Sequence, residues 1–134
     1  MSIFIEDGEI VEVAVHYAEE DGKVIVYDEP GEGVETVKMT FRRPDFSTSQ
    51  RLMSASTVTD QSGNQTINLM MLQNNLLYFL AKSWDAKGPD TKDAEGNVVK
   101  GKPLEFNSEN IGKLRIEIAR AAVNRLVEAI GQIM

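Results

Sequence analysis

The chain lacks cysteine, has a single histidine, and contains no long uninterrupted apolar run in its 134 residues. Without cysteine there is no disulfide framework and no thiolate metal site. One histidine, His16, cannot supply a multi-histidine metal centre. The most apolar stretch, residues 67–81, is interrupted by Gln73, Asn74 and Asn75 and is too short and too polar to span a bilayer. We therefore expect no cofactor and no membrane association.

Signals for secretion and for catalysis are also missing. The first residues lack the basic-then-apolar pattern of a signal peptide, which predicts a cytosolic protein. His16 follows Glu12 on one face of a predicted strand, and such a pair could exchange protons. No serine or cysteine nucleophile motif accompanies this pair, and a surface histidine is the simpler interpretation. The acidic turns lack calcium-loop spacing, and the glycines lack phosphate-loop spacing. We expect a binding protein and not an enzyme.

Charge is distributed unevenly along the chain. Residues 1–40 carry 11 acidic and 2 basic side chains, a formal charge of −9, whereas residues 41–134 carry 10 acidic and 12 basic side chains, or +2. This balance argues against nucleic-acid binding through the whole surface. It permits head-to-tail attraction between copies or binding to a basic partner. A solvated acidic face is the simpler explanation.

Hydropathy patterning predicts strands in the first third of a single domain that spans residues 1–134. Residues 11–18 alternate apolar and polar side chains with a period of two, which is typical of a half-buried strand. Asp21-Gly22 predicts a tight hairpin, and a further strand is expected over residues 34–41. We also expect residues 3–5 to be extended. The acidic β unit, residues 1–43, is thus predicted to form an antiparallel meander of three or four strands within residues 3–43.

The period changes to that of a helix after Pro44,. Three helices are predicted near residues 47–57, 66–85 and 108–132, with N-caps at Ser47 or Thr48, at Asn64 or Thr66, and at Asn107 or Ser108. The helical part, residues 44–134, includes a loop at 86–106, whose length is typical of functional or mobile segments. The fold class is therefore α+β.

The two longer helices have apolar arcs wider than one packed face requires. In the central helix, positions 69, 72, 76, 79 and 80 form one row, and Met70, Leu77 and Trp84 form a second. In the last helix, one row holds Ile111, Leu114, Ile118, Ala122 and Leu126, and its neighbour holds Ile116, Ala119, Val123, Val127 and Ile130. A central core helix explains the pattern, and so does a face shared with a partner.

Candidate partner-binding residues follow from these surplus rows. They are Met70, Leu77 and Trp84 in the central helix and Ile116, Val123 and Val127 in the last helix. Arg42 and Arg43, with Arg51 nearby, could bind an acidic partner or phosphate. The alternative is internal pairing of these arginines with the acids of the first third.

Three segments together resemble the tail assembly chaperones of tailed bacteriophages. They are the strand and Arg-Arg-Pro run from Val37 to Pro44, the Leu-Leu-x-x-Leu-x-x-x-Trp-Asp run from Leu76 to Asp85, and the helix from Ile111 to Ile130. The resemblance covers most of residues 34–131. It implies a non-enzymatic protein of the host cytoplasm that binds the tape-measure protein before the tail tube polymerises and that associates with itself. The acidic β unit departs from the more helical members of that family.

Two other functions compete with this interpretation. A structural virion protein, such as a tail, baseplate or capsid-associated subunit, would also act by protein–protein contacts but would stay in the particle. An acidic mimic of nucleic acid fits the charge of residues 1–40 but leaves the apolar helix faces without a role.

Overall fold

The computed structural model describes residues 2–131, in which strands and helices alternate after an N-terminal sheet. The strands are β1 Ile10–Glu20, β2 Lys23–Tyr27, β3 Glu35–Arg42, β4 Thr57–Thr59, β5 Gln65–Ile67, β6 Ala81–Trp84, β7 Thr91–Lys92 and β8 Val98–Val99. The helices are α1 Phe46–Ala55, α2 Leu69–Leu80, α3 Ser108–Ile111 and α4 Ile116–Ile130. The predicted α+β class with an N-terminal antiparallel sheet is confirmed.

The main sheet has four antiparallel strands in the order β2-β1-β3-β6. The β1–β2 hairpin turns at Asp21 and Gly22, which both have positive φ, at 52° and 77°, as the Asp-Gly signal predicts. β1 is long enough to pair with β2 through one half and with β3 through most of its length. β3 therefore lies next to β1 and not next to β2, so the strand order differs from that of the expected meander, in which each strand pairs with the next along the chain. Residues 3–5, expected to be extended, lie outside the sheet.

One apolar cluster joins the inner face of the sheet to the helices. α4 lies against β1 and β2, and α2 packs against both α1 and α4. Alternate residues of β1 and β3 face this cluster, as the period of two predicts; they are Val11, Val13, Val15, Val37, Met39 and Phe41. Burying each of these large side chains contributes about 1.5–3 kcal/mol.

The predicted central helix over residues 66–85 is too long at both ends. Residues 65–67 form β5, which pairs with β4, and the helix starts after Asn68, whose side chain accepts the backbone N–H of Met71. The chain becomes extended at Ala81, where ψ is 137°, and β6 adds to the sheet beside β3. Sheet pairing here overrides the helical periodicity, because a free edge of β3 is available for hydrogen bonding.

The first and last predicted helices also change. α1 begins after Asp45, which accepts the backbone N–H of Thr48, so the cap precedes the two residues expected. The last helix divides into α3, capped by Asn107 as expected, and α4, which follows a break at residues 112–115. The predicted end at residue 132 lies outside the described residues.

The loop after β6 is ordered by contacts with Trp84 and within itself. Its ends are joined by hydrogen bonds from Leu104 N to Ala86 O (2.9 Å) and from Gly88 N to Lys102 O (2.8 Å). Between them, β7 and β8 form a short hairpin, with Val98 and Val99 on one arm. The loop therefore has its own ordered structure and follows the edge strand β6 of the main sheet.

Candidate protein-interaction surface

A groove of about 200 Å³ runs between α2 and α4. It is lined by two sets of four residues with identical i, i+3, i+4, i+7 spacing: Met70, Gln73, Asn74 and Leu77 from α2, and Ile116, Ala119, Arg120 and Val123 from α4. That spacing places each set on one face of its helix. Because a helix rises about 1.5 Å per residue, the groove follows each helix for roughly 10 Å. We call it the α2–α4 groove.

The α2–α4 groove combines a buried apolar floor with two large apolar side chains that are open to solvent. Leu77 and Val123 are 5% and 3% exposed and belong to the core. Met70 and Ile116, in the first turns of α2 and α4, are 65% and 56% exposed. Large apolar side chains left in solvent beside an apolar depression are typical of a binding surface. A partner could therefore bind in the apolar depression and cover the exposed side chains of Met70 and Ile116.

Arg120 is the only charged residue that lines the α2–α4 groove. Within residues 2–131 it takes part in no ion pair. Gln73 and Asn74 supply amide groups to the same lining, and amides can donate or accept hydrogen bonds. The groove therefore favours a ligand with an apolar body and a negatively charged end.

The structure brings together four of the eight candidate residues: Met70, Leu77, Ile116 and Val123. Two of these, Leu77 and Val123, are buried and not exposed, so the exposed row expected on α4 is only partly exposed. Val127 is half-buried and packs against the core. Trp84 is not helical, since it lies in β6 opposite Met39. Both α2 and α4 thus carry apolar side chains beyond the face packed in the core. In α2 this second row is shorter than expected, because Trp84 lies in β6.

Arg42 and Arg43 lie away from the groove and have partners within the chain. The Arg42 guanidinium donates a 2.7 Å hydrogen bond to the carbonyl oxygen of Phe79, and its central carbon lies 5.2 Å from the Phe79 ring centroid. Arg43 Nε lies 3.9 Å from the Glu9 carboxylate, and its backbone N–H donates to the Glu9 carbonyl oxygen. Arg43 thus pairs with an acid of the first third, as the alternative expectation has it, whereas Arg42 contacts Phe79 and no acidic side chain of residues 2–131.

A second depression, of about 220 Å³, lies beside these arginines. It is lined by the turn at residues 5–10, by Arg42 to Asp45, and by Thr48, Leu80 and Lys82. Acidic and basic side chains are mixed around it, so it offers no single sign of charge to a ligand. The N–H of Thr48 bonded to the Asp45 carboxylate lowers the pKa of that carboxyl, which suits a helix cap and not a catalytic acid.

His16 and Tyr17, on β1, line neither of the two depressions. His16 Nδ1 lies 2.8 Å from the Thr36 hydroxyl across the β1–β3 pair, on the outer face of the sheet. Burial, and then the neighbouring Glu35, raises the pKa of the Tyr17 phenol above its ordinary value of 10.0. In the part of the chain that is described, no three His, Asp or Glu side chains are grouped to hold a metal ion.

Comparisons with known proteins add no assignment. The chain matches no protein-family model, no curated protein and no solved structure. Among residues 2–131, none of the helices combines the length and the apolar character that crossing a membrane requires.

Four of the eight residues that line the groove are candidates from the sequence, and four are not. Gln73 and Asn74, which interrupt the apolar run of the central helix, are not among the sequence candidates, and neither is Arg120. Each nevertheless lies three or four residues from an apolar candidate on the same helix. A search for matched i, i+3, i+4, i+7 sets would have found them. Residues 3–5 were expected to be extended but form an exposed apolar segment outside the sheet. No signal in the sequence distinguishes such a segment from a strand.

Proposed function

We propose that this protein acts by binding an apolar helical segment of another protein in the α2–α4 groove. One observation carries the proposal: the exposed side chains of Met70 and Ile116 flank a floor formed by Leu77 and Val123. A partner that covers both rims removes these apolar side chains from water, at about 25 cal/mol for each Å² buried.

The shape of the groove favours a helix as the partner element. Two helix faces run along it for about two turns each, roughly 10 Å, and an amphipathic helix presents two or three apolar anchors over that length. The guanidinium of Arg120, which forms no ion pair with any side chain of residues 2–131, favours a segment with an acidic residue next to its apolar face.

The proposed identity of the partner rests on the resemblance to tail assembly chaperones. We propose that the segment belongs to a phage tape-measure protein, whose long apolar helices need cover in the host cytoplasm before the tail tube forms around them. The resemblance also implies self-association, which therefore forms part of the proposal. The residues named above for the groove, not Arg42 and Arg43, would make the main contacts.

The second candidate is a structural virion subunit of the tail, baseplate or capsid. It is supported by large apolar side chains exposed at places far apart in the chain, including Phe46 on α1, Phe79 on α2 and Val98 in β8. A subunit with several permanent neighbours needs more than one apolar contact surface.

Co-expression with a tape-measure fragment tests the first candidate. We expect the wild-type chain to co-purify with the fragment and Met70→Glu to lose it. The control is Phe46→Glu, which places the same charge at an exposed apolar position outside the groove. If neither variant changes co-purification, the groove is not the client site. Finding the protein in purified mature particles by mass spectrometry would instead favour the virion subunit.

A further inference from the structure

An uncovered apolar segment lies near the start of the chain. Ile3 and Phe4 are 93% and 73% exposed, and Ile5 is also exposed. We call residues 2–5 the N-terminal segment. Folded chains seldom leave three consecutive large apolar side chains in water without a contact to make.

The chain that follows the N-terminal segment is held in place. The Glu6 backbone N–H donates to the Glu9 carboxylate (2.8 Å), and the Glu9 N–H donates to the Glu6 carbonyl oxygen (3.1 Å). Glu9 is joined to Arg43 through a 3.0 Å backbone hydrogen bond. This turn therefore fixes one end of the N-terminal segment, and the apolar side chains project from a defined point on the surface.

The dimensions of the N-terminal segment match those of the α2–α4 groove. Ile3 and Phe4 lie in a bend. Fully extended on docking, three residues reach about 10 Å at 3.3–3.6 Å each, which is the length over which the groove follows its two helices. The groove offers an apolar floor at Leu77 and Val123 and the exposed rims Met70 and Ile116, and the segment offers three large apolar side chains.

Charge is complementary as well. Glu6 and Asp7 follow the three apolar residues directly, and Arg120 is the only charged residue in the lining of the groove. The same asymmetry extends over the chain, since residues 1–40 carry −9 and residues 41–134 carry +2. Opposite charges beside an apolar contact fix its orientation and speed its formation.

We propose that the N-terminal segment of one copy docks in the α2–α4 groove of a second copy. Residues 3–5 cover Met70 and Ile116, and the acidic pair after them lies against Arg120. The contact is head-to-tail, because the two surfaces that meet belong to different parts of the chain. Such contacts continue from copy to copy and end in a ring or an open chain of subunits.

This inference rests on the proposed use of the groove as a docking surface, and it adds regulation to it. The N-terminal segment and a client helix compete for one site, so client binding releases subunits from the self-associated form. Free protein thereby keeps its groove covered until a client displaces the neighbouring copy.

The test uses complementation between two variants of the full chain. Phe4→Glu places a charge in the N-terminal segment and keeps the groove intact. Met70→Glu places a charge in the groove and keeps the N-terminal segment intact. Both positions are exposed, so both variants should fold, which circular dichroism checks. Sedimentation velocity over a concentration series should show wild-type association, with each variant alone weakened about 30-fold or more, as expected for losing a central contact. Phe46→Glu should associate as the wild type does.

Mixing the two variants decides the orientation. The intact groove of Phe4→Glu should accept the intact segment of Met70→Glu and give a one-to-one dimer that grows no further. A wild type that is monomeric at every concentration, variants that associate normally, or a mixture that stays monomeric would each overturn the proposal. Those results would leave the co-purification with a client fragment unaffected, so failure here is distinguishable from failure of the proposed function.

Discussion

The indole N–H of Trp84 donates a 2.9 Å hydrogen bond to the carbonyl oxygen of Leu104, twenty residues along the chain. The ring also meets Phe106 edge to face, with centroids 5.3 Å apart. Trp84 thus ties the end of β6 to the last part of the loop. It is the only tryptophan in the chain, so its fluorescence reports directly on whether the loop is closed.

Replacing Trp84 with Phe tests this tie. The smaller ring keeps an aromatic contact with Phe106 but cannot donate to Leu104, and one lost hydrogen bond costs about 0.5–1.5 kcal/mol. We expect that loss in the free energy of unfolding measured by urea denaturation with circular dichroism. The same Phe substitution at exposed Tyr78 is the control, and an equal loss there would show that the indole hydrogen bond is not responsible.

Leu76 tests the position of α2 in the core. Its side chain is buried in the common apolar cluster, so Leu76→Ala should lower the free energy of unfolding by about 2–5 kcal/mol. Met70→Ala, on an exposed position of the same helix, should change it by no more than about 0.5 kcal/mol. A loss below about half a kcal/mol at Leu76 would mean that α2 does not pack as described.

Gly101 is required where the two sides of the loop meet. A Cβ added there would overlap the carbonyl oxygen of Gly88, which is backbone and cannot rotate away. Gly101→Ala should therefore open the loop, at a cost of about 1–3 kcal/mol, and amide hydrogen exchange at Gly88 should accelerate. Gly31→Ala is the matched control, since the nearest atom to its added Cβ is 4.0 Å away. Unchanged exchange in Gly101→Ala would contradict the close approach.

Acid should loosen the same loop. The Gly101 N–H bonded to the Asp90 carboxylate, aided by Lys100, lowers the pKa of Asp90 from its ordinary value of 3.8. A carboxyl with a lowered folded pKa stabilises the closed loop above pH 3.8, and this contribution is lost as pH falls through the folded pKa. Carbon-detected NMR titration should give Asp90 a midpoint below 3.8. A midpoint at or above 3.8 would contradict the hydrogen bond to Gly101.

Local signals in the sequence predicted the parts of the fold that local physics decides. The Asp21-Gly22 turn forms as expected because both residues adopt positive φ there. The alternation along β1 placed Val11, Val13 and Val15 in the core. These features depend on residues close together in the chain, and period and turn chemistry report them directly.

The features that the sequence did not predict depend on contacts between residues far apart in the chain. Residues 81–84 continue the helical apolar pattern, yet they pair with β3 because its free edge hydrogen-bonds to an extended chain,. Trp84 therefore lies in a strand and not on the predicted face of the helix. On α4, Val123 shares its row with exposed Ile116 but is buried, because the approach of α2 covers only one part of that row. A charge at Val123 would therefore damage the core and is a poor test of assembly, contrary to the expectation from periodicity.

The α2–α4 groove is proposed to bind an apolar helix of another protein. Isothermal titration of the full chain with a peptide from the apolar helix of a tape-measure protein tests it most directly, using wild type, Ile116→Glu and the control Phe46→Glu. We expect saturable binding with a negative heat-capacity change for wild type and the control, and a dissociation constant raised about 30-fold or more for Ile116→Glu. Equal affinity of all three chains, or no binding by the wild type, would contradict the account.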